Sequence, residues 1–93
     1  MADSVTVVLP ASLSAHAGGE REVEVEAQYV RAAIDQLVTL APELKPHVLD
    51  SEGALQPFVN LFVDNMQVHD LDQQESPLKA GTELLIVSAL AGG

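Results

Sequence analysis

The spacing of apolar residues changes from every second position to a helical stripe and back, and this change restricts the folds open to the chain. Residues 4–10 (SVTVVLP) place three apolar side chains on one face, and residues 21–26 (REVEVE) alternate acid and valine. This period is typical of β-strands with one buried face. Pro10 ends the first strand because proline cannot donate to a ladder. The two segments predict an N-terminal hairpin whose loop is residues 11–19.

One amphipathic helix is predicted after this hairpin. From Gln28 onward, apolar residues recur at the spacing of a single helical face. Pro42 disfavours helical geometry at the preceding residue, so the helix should end at Ala41. The insertion 42–57 holds three prolines and a glycine, which indicate irregular chain with one short helical turn. The helical stripe consists of Val30, Ile34, Leu37, Val38 and Ala41.

The C-terminal half again favours strands. Residues 58–63 (FVNLFV) are aromatic and branched, and Asp64-Asn65 forms a tight-turn signal before a short strand at 66–68. The last strand is predicted at 83–89. One helix across a mixed sheet of four to five strands is the two-layer α+β solution, which here is a β-grasp, or ubiquitin-like, fold. The expected organisation is one domain, 1–89, with a flexible glycine-rich tail, 90–93.

Charge and composition exclude several kinds of partner and chemistry. The chain has 93 residues, a formal net charge of −10 and no cysteine. The negative charge argues against nucleic acid and anionic membranes as partners. Without cysteine there is no disulfide and no thiolate nucleophile. No window of 18 apolar residues and no signal-peptide pattern is present, so the expected localisation is cytoplasmic.

Metal binding and autonomous catalysis are not expected. His16, His47 and His69 lie far apart in sequence, and His16 is interpreted as a solvated loop residue. Asp70-Leu71-Asp72 lacks the glycine and distal glutamate of a calcium loop, which favours a solvated turn. No nucleophile–base spacing and no phosphate-binding loop occurs. The chain is therefore predicted to be a carrier rather than an enzyme, with no bound cofactor and no metal.

The feature that carries chemistry is the glycine pair Gly92-Gly93 shortly after the last predicted strand. A backbone without Cβ enters a narrow active-site channel and adopts extended angles closed to other residues. The reacting group would be the carboxylate of Gly93. A carboxylate is a poor acyl donor, so a partner enzyme would have to convert it to a mixed anhydride with AMP before sulfide or an amine displaces the nucleotide.

The sequence resembles the sulfur-carrier branch of the ubiquitin-like proteins, which serves thiamine, molybdopterin and cysteine synthesis (ThiS/MoaD/CysO-type). The similarity spans nearly the whole chain and is most specific in two stretches. They are FVNLFVDNMQV at 58–68 and KAGTELLIVSALAGG at 79–93. The resemblance implies a thiocarboxylate on Gly93, made after ATP-dependent adenylation by an adenylyltransferase/sulfurtransferase of the ubiquitin-activating type.

Within this family, the resemblance is closest to the cysteine-synthesis carriers. Molybdopterin-type carriers usually have a proline pair before the terminal glycines, whereas this chain has Ser88-Ala89-Leu90-Ala91. The long insertion before Phe58 and the AGG ending are similar to carriers that serve a cysteine-synthase-like enzyme, with a metalloprotease releasing cysteine. The alternatives are the small subunit of molybdopterin synthase, a sulfur donor for thio-natural products, and a ubiquitin-like protein modifier.

Strand alternation predicts a partner-docking patch near the tail. If Val59, Leu61 and Val63 face the helix, Phe58 and Phe62 face outward. In the last strand the same alternation places Leu85 and Val87 on the outward face. An exposed apolar patch ringed by acids suits an activating enzyme. The alternative is that the insertion 42–57 folds back over these residues. The predicted patch comprises Phe58, Phe62, Leu85, Val87 and Leu90.

Two other interpretations remain. Acyl carrier proteins are also small and acidic and attach phosphopantetheine to a serine after aspartate, as in Asp3-Ser4 and Asp50-Ser51. Those proteins are helical bundles, whereas the period here is mostly two, which argues against that class. The row Glu22, Glu24 and Glu26 is either the solvated side of a strand or a surface for a basic partner.

Overall fold

Five strands and three α-helices make up the part of the chain that the computed structural model describes, residues 4–68 and 78–88. None of these helices is long and apolar enough to cross a membrane. The strands are β1 (Ser4–Val8), β2 (Glu22–Glu26), β3 (Val59–Val63), β4 (Met66–Val68) and β5 (Glu83–Ser88). The helices are α1 (Ala11–Ser14), α2 (Val30–Leu40) and α3 (Lys45–Val48), with 3₁₀ turns at Ala15–Ala17 and Pro42–Leu44.

The strands form one mixed sheet in the order β2-β1-β5-β3-β4. β1 pairs antiparallel with β2 and parallel with β5, while β3 pairs antiparallel with both β5 and β4. The first and last strands therefore meet in the middle of the sheet. With α2 following the first hairpin, this is the β-grasp arrangement of a mixed sheet and one main helix, and the predicted fold class is confirmed.

The alternation along the strands separates a buried face from an exposed one. Val5 and Val7 of β1, Leu61 of β3, and Leu84 and Ile86 of β5 are fully buried. They pack in one cluster with the buried stripe of α2, so the sheet and helix exclude water from each other's apolar faces. The buried residues of α2 are Val30, Ala33, Ile34 and Leu37.

The turn between β3 and β4 has the conformation that its two residues favour. Asp64 and Asn65 both have positive φ, 49° and 70°. A two-residue hairpin loop with positive φ at both positions matches the right-handed twist of the flanking strands, and short Asx side chains tolerate it better than other non-glycine residues. The predicted hairpin is confirmed, and its tip holds Asp64 beside the outer face of the sheet.

The segment after β1 is more ordered than its small residues indicated. The predicted loop contains α1 and a 3₁₀ turn, and the amides of Leu13 and Ser14 both donate to the Pro10 carbonyl oxygen, at 3.0 and 2.9 Å. Leu13 is buried in the core cluster. Burial of this one leucine stabilises a helical turn that is too short to form alone.

The insertion 42–57 also joins the core. Leu44, Val48 and Leu49 are buried, and Leu49 forms an isolated antiparallel bridge with Leu55. Arg31 Nη1 of α2 donates to the Gly53 carbonyl oxygen at 2.6 Å, which fastens the insertion to the main helix. Its apolar residues contribute to the helical side of the sheet rather than covering the outer face.

A carboxylate of β2 is fixed by two hydroxyl groups of β1. Ser4 Oγ donates to Glu24 Oε2 at 2.6 Å, and Thr6 Oγ1 donates to Glu24 Oε1 at 3.0 Å. These hydrogen bonds favour the ionised form and lower the pKa of Glu24, the bond from Ser4 having the larger effect. The pairing of β1 with β2 is thereby supported by side chains as well as by backbone.

Truncation of a buried residue of β3 should be costly. Leu61 is fully buried between sheet and helix, so Leu61→Ala should lower the free energy of unfolding by about 2–5 kcal/mol. Urea denaturation measures this change. Met66→Ala, at a side chain that is 74% exposed, is the control and should change stability little. Equal effects of the two substitutions would contradict the burial of Leu61 in the core.

The Glu24 hydrogen bonds should make the fold sensitive to acid. Because the folded pKa is lowered, their stabilisation is present above the ordinary value of 4.5 and is lost as pH falls through the lowered value. Glu24→Gln should therefore lose less stability than the unmutated chain between neutral pH and about pH 3. Glu22→Gln, on the same face of β2, is the control. Thermal unfolding across this range measures the difference, and identical profiles for all three proteins would contradict it.

Candidate functional site

The outer face of the sheet carries an apolar row that crosses three strands. Leu85 of β5 lies beside Val8 of β1 and Phe62 of β3 in the strand register. Leu85 is 41% exposed, and the other two side chains are half-buried. We call these three residues the apolar row. Side chains opposite each other on one face of a sheet are close enough to act as a single surface.

A further exposed apolar side chain lies beside the apolar row, nearer the end of β5. Val87, 37% exposed, lies one outward position beyond Leu85 and pairs with Asn60. Gln67 Nε2 donates to Asn60 Oδ1 at 2.9 Å, so this amide is held at the margin of the surface. The predicted outward orientation of Phe62, Leu85 and Val87 agrees with these positions. Their role in docking stays a prediction.

One member of the predicted patch is oriented differently. Phe58 precedes β3, which begins at Val59, and its half-buried side chain packs against the core cluster. The expected outward orientation of Phe58 is therefore wrong, because strand alternation does not extend past the first residue of the strand. Leu90, the last predicted member, lies outside the described residues.

An acidic margin lies on the side of the apolar row away from the end of β5. Glu83 is the first residue of β5 and lies on the outer face, two positions before Leu85. Asp64 lies on the same side of the apolar row because Val63, the residue before it, pairs with Leu84. With the apolar row they border an open cleft of about 220 Å³. Sequence patterns alone did not single out these two carboxylates. The cleft is lined by Val8, Phe62, Asp64, Asn65, Glu83 and Leu85.

The predicted reactive residues Gly92 and Gly93 lie outside the described residues, as does the proposed domain boundary after residue 89. The last described residue, Ser88, pairs with Val59 at the end of β5. The five residues that follow could span at most about 17 Å if fully extended. Any reaction at Gly93 would therefore take place within about 17 Å of the end of β5, which is where Val87 lies.

Two of the three histidines lie together, contrary to expectation. The rings of His16 and His47 are stacked, with centroids 4.0 Å apart and planes inclined by 18°, and both residues are half-buried. His16 is therefore not a solvated loop residue. Ring nitrogens bind metal through lone pairs in the ring plane, so two parallel stacked rings do not converge on one ion. No group of three or more metal-ligating side chains occurs within residues 4–68 and 78–88.

Comparison with known proteins gives a consistent result. The model of the ThiS family matches residues 7–93. The sulfur carrier protein CysO of Mycobacterium tuberculosis is 29% identical over 92 residues, an alignment that covers 97% of this chain and 99% of that protein. A curated relative of this kind is a carrier by name rather than an enzyme.

Solved structures agree in both fold and extent. A chain in the crystal structure of the Amycolatopsis orientalis BexX/CysO complex is 34% identical, with a TM-score of 0.80, covering 96% of this chain and 99% of that one. SAMP1 of Haloferax volcanii, a small archaeal modifier protein, is 28% identical with a TM-score of 0.81, covering 97% and 99%. The family match over residues 7–93, in agreement with the β-grasp sheet, places this chain in the ThiS family of sulfur carrier proteins.

Proposed function

We propose that this protein carries sulfur as a thiocarboxylate on Gly93. The observation that supports this most directly is the family match, which runs through the last residue of the sequence. The exposed apolar row beside the end of β5 adds a surface by which an enzyme could hold the carrier while it acts on the tail.

The proposed reaction has two steps, both catalysed by a partner. A carboxylate oxygen of Gly93 attacks the α-phosphorus of ATP, forming a mixed anhydride with AMP and releasing pyrophosphate. Sulfide then attacks the carbonyl carbon and expels AMP, which leaves the thiocarboxylate. Because ATP is consumed, the reaction belongs in the cytoplasm. The carrier contributes the acyl group and needs no bound cofactor of its own.

The proposed partner in this reaction is an adenylyltransferase/sulfurtransferase of the ubiquitin-activating type. Docking on the apolar row and Val87 would place its active site within about 17 Å of Ser88, the reach of the remaining residues. An apolar centre with a polar margin is the usual composition of a protein–protein contact. The net charge of −10 makes the carrier's surface suited to a basic counterpart.

For the acceptor, we propose an enzyme of the cysteine-synthase type, with a metalloprotease that then releases cysteine. This assignment rests on similarity to CysO proteins. The BexX/CysO complex of the Amycolatopsis relative leaves a second acceptor class open, since a CysO protein assembles there with another protein. Sulfur donation to thio-natural products and service as a molybdopterin synthase subunit are the alternatives that an acceptor assay would distinguish.

A second candidate function is protein modification. The similarity to SAMP1, a small archaeal modifier protein, favours it specifically. The same adenylated Gly93 would then react with a lysine amine of a target instead of sulfide. Conjugates would be detected in cells as the tryptic remnant of residues 80–93 on a target lysine, because Lys79 is the last residue at which trypsin cleaves. Such conjugates would support this alternative. Their absence, together with a mass gain from sulfur, would support the carrier.

The intact mass of the full chain tests the proposed function. After incubation with an activating enzyme of this class, ATP and sulfide, we expect a mass gain equal to sulfur replacing oxygen, located on Gly93 by fragmentation. No gain, under conditions in which a CysO protein reacts, would contradict the proposal. A phosphopantetheine-sized gain in cells would instead indicate an acyl carrier.

Changes at the C-terminus should abolish the reaction without affecting the fold. Deleting Gly93, or adding one residue after it, removes or displaces the reacting carboxylate, so thiocarboxylation should be lost. The thermal midpoint should stay within about 1 °C of the original, because Ile86 is the last core residue in the described part of the chain and lies seven positions before Gly93. Mass spectrometry and thermal unfolding measure the two effects. Retained thiocarboxylation of the extended chain would refute the mechanism.

A charge placed in the apolar row should impair docking more than folding. For Phe62→Asp we expect the KM for adenylation to rise at least about tenfold, because a carboxylate would be buried against the partner. Stability should fall by only about 1 kcal/mol, since Phe62 is half-buried. The control variant Met66→Asp introduces the same carboxylate at a residue that pairs with the inward-facing Val63. The KM of this control should be unchanged. Equal KM values for both variants would contradict docking through the apolar row.

A further inference from the structure

The cleft on the outer face combines an apolar floor with two carboxylates on one side. Val8, Leu85 and Phe62 form the floor as one cross-strand row. Asp64 and Glu83 stand on the margin away from the end of β5. At about 220 Å³ the cleft is smaller than the roughly 300–1,000 Å³ of small-molecule and cofactor sites. Its size fits a single side chain better than a nucleotide.

In the described part of the chain, the two carboxylates of the cleft have no cationic partner. Within residues 4–68 and 78–88, neither Asp64 nor Glu83 has a side-chain hydrogen bond or an ion pair. The lining contains no lysine or arginine. The nearby Glu24, by contrast, has both oxygens bound by hydroxyl groups. The cleft thus has acceptor capacity that the described fold does not use.

An arginine side chain matches this combination better than any other. Its aliphatic stem covers apolar surface while its charged head stays at the rim. Its planar guanidinium stacks on an aromatic ring such as Phe62 and donates to more than one carboxylate oxygen at once. Lysine has a compact, strongly hydrated charge and cannot stack or donate in this planar manner.

We propose that this cleft receives an arginine side chain from the enzyme that adenylates Gly93. The arginine lies over Phe62 and donates to Asp64 and Glu83, so it anchors the side of the docking surface farther from the tail. Val87 and Leu85 form the apolar contact nearer the tail. The identity of the enzyme rests on the proposed function, whereas recognition of arginine rests on the cleft alone.

Recognition of arginine is tested directly on the full chain. The ¹⁵N-labelled protein is titrated with N-acetyl-arginine amide and, separately, with N-acetyl-citrulline amide, which has nearly the same shape without the charge. We expect saturable amide shifts centred on Phe62, Asp64, Glu83 and Leu85 with the arginine compound only. Equal shifts with citrulline, or shifts centred elsewhere, would overturn the proposal.

Variants separate the contributions of the cleft. Asp64→Asn and Glu83→Gln should each weaken the binding of N-acetyl-arginine amide by up to about fivefold, as expected for exposed charge pairs. Glu43→Gln, an equal charge change in the 3₁₀ turn Pro42–Leu44, is the control and should have no effect. Phe62→Leu keeps apolar area but removes the ring, so it should reduce the preference for arginine over N-acetyl-lysine amide. Unchanged affinity and preference in all three cleft variants would overturn the proposal.

The source of the arginine is tested with the activating enzyme. In pyrophosphate exchange, Asp64→Asn and Glu83→Gln should raise the KM for the carrier and leave kcat unchanged, while Glu43→Gln changes neither. Unchanged KM with arginine binding intact would overturn the assignment to this enzyme. Failure of the unmutated chain to be adenylated would refute the proposed function, yet the titration would still decide whether the cleft binds arginine.

Discussion

The parallel pairing of β1 with β5 is the interaction on which the rest of the structure depends. It joins strands from opposite ends of the described chain, with Thr6 beside Glu83 and Val8 beside Leu85. The Thr6 amide donates to the Thr82 carbonyl oxygen at 3.0 Å, which extends the ladder at its start. Because β5 lies at the centre of the sheet, its outward side chains have neighbours on both sides. Both the apolar row and the origin of the tail follow from this position.

Much of this fold was predictable from local sequence, because strand and helix periods report which face is buried. The valines of β1, the helical stripe of α2 and the Asp64-Asn65 turn each carry a signal within a few residues. Segment 11–17 carries no such signal, and in segment 42–55 the prolines and the glycine indicated only one short helical turn in irregular chain. Their short helices are stabilised by burying single residues such as Leu13 and Leu44 in a core that forms from distant strands. Tertiary packing, rather than propensity, determines them.

The candidate surface was predictable only in part, for a related reason. Strand alternation correctly predicted that Phe62, Leu85 and Val87 face outward. The prediction was wrong for Phe58, because this residue lies one position before β3 begins. The cleft depends on register, which a single strand does not reveal. Asp64 and Glu83 are nineteen positions apart in sequence and border the same cleft because Val63 pairs with Leu84. The stacking of His16 on His47 likewise required knowing where two irregular segments meet.

The exposed edge of the sheet has a consequence for how copies of this protein meet one another. β2 is an outer strand, and Glu22, Glu24 and Glu26 all lie on its exposed face. An unpaired strand edge is a template on which another chain can extend the sheet. Two copies that joined through this edge would bring six carboxylates onto one surface, where like charges oppose each other across the new ladder. The acidic strand therefore opposes extension of the sheet through this edge.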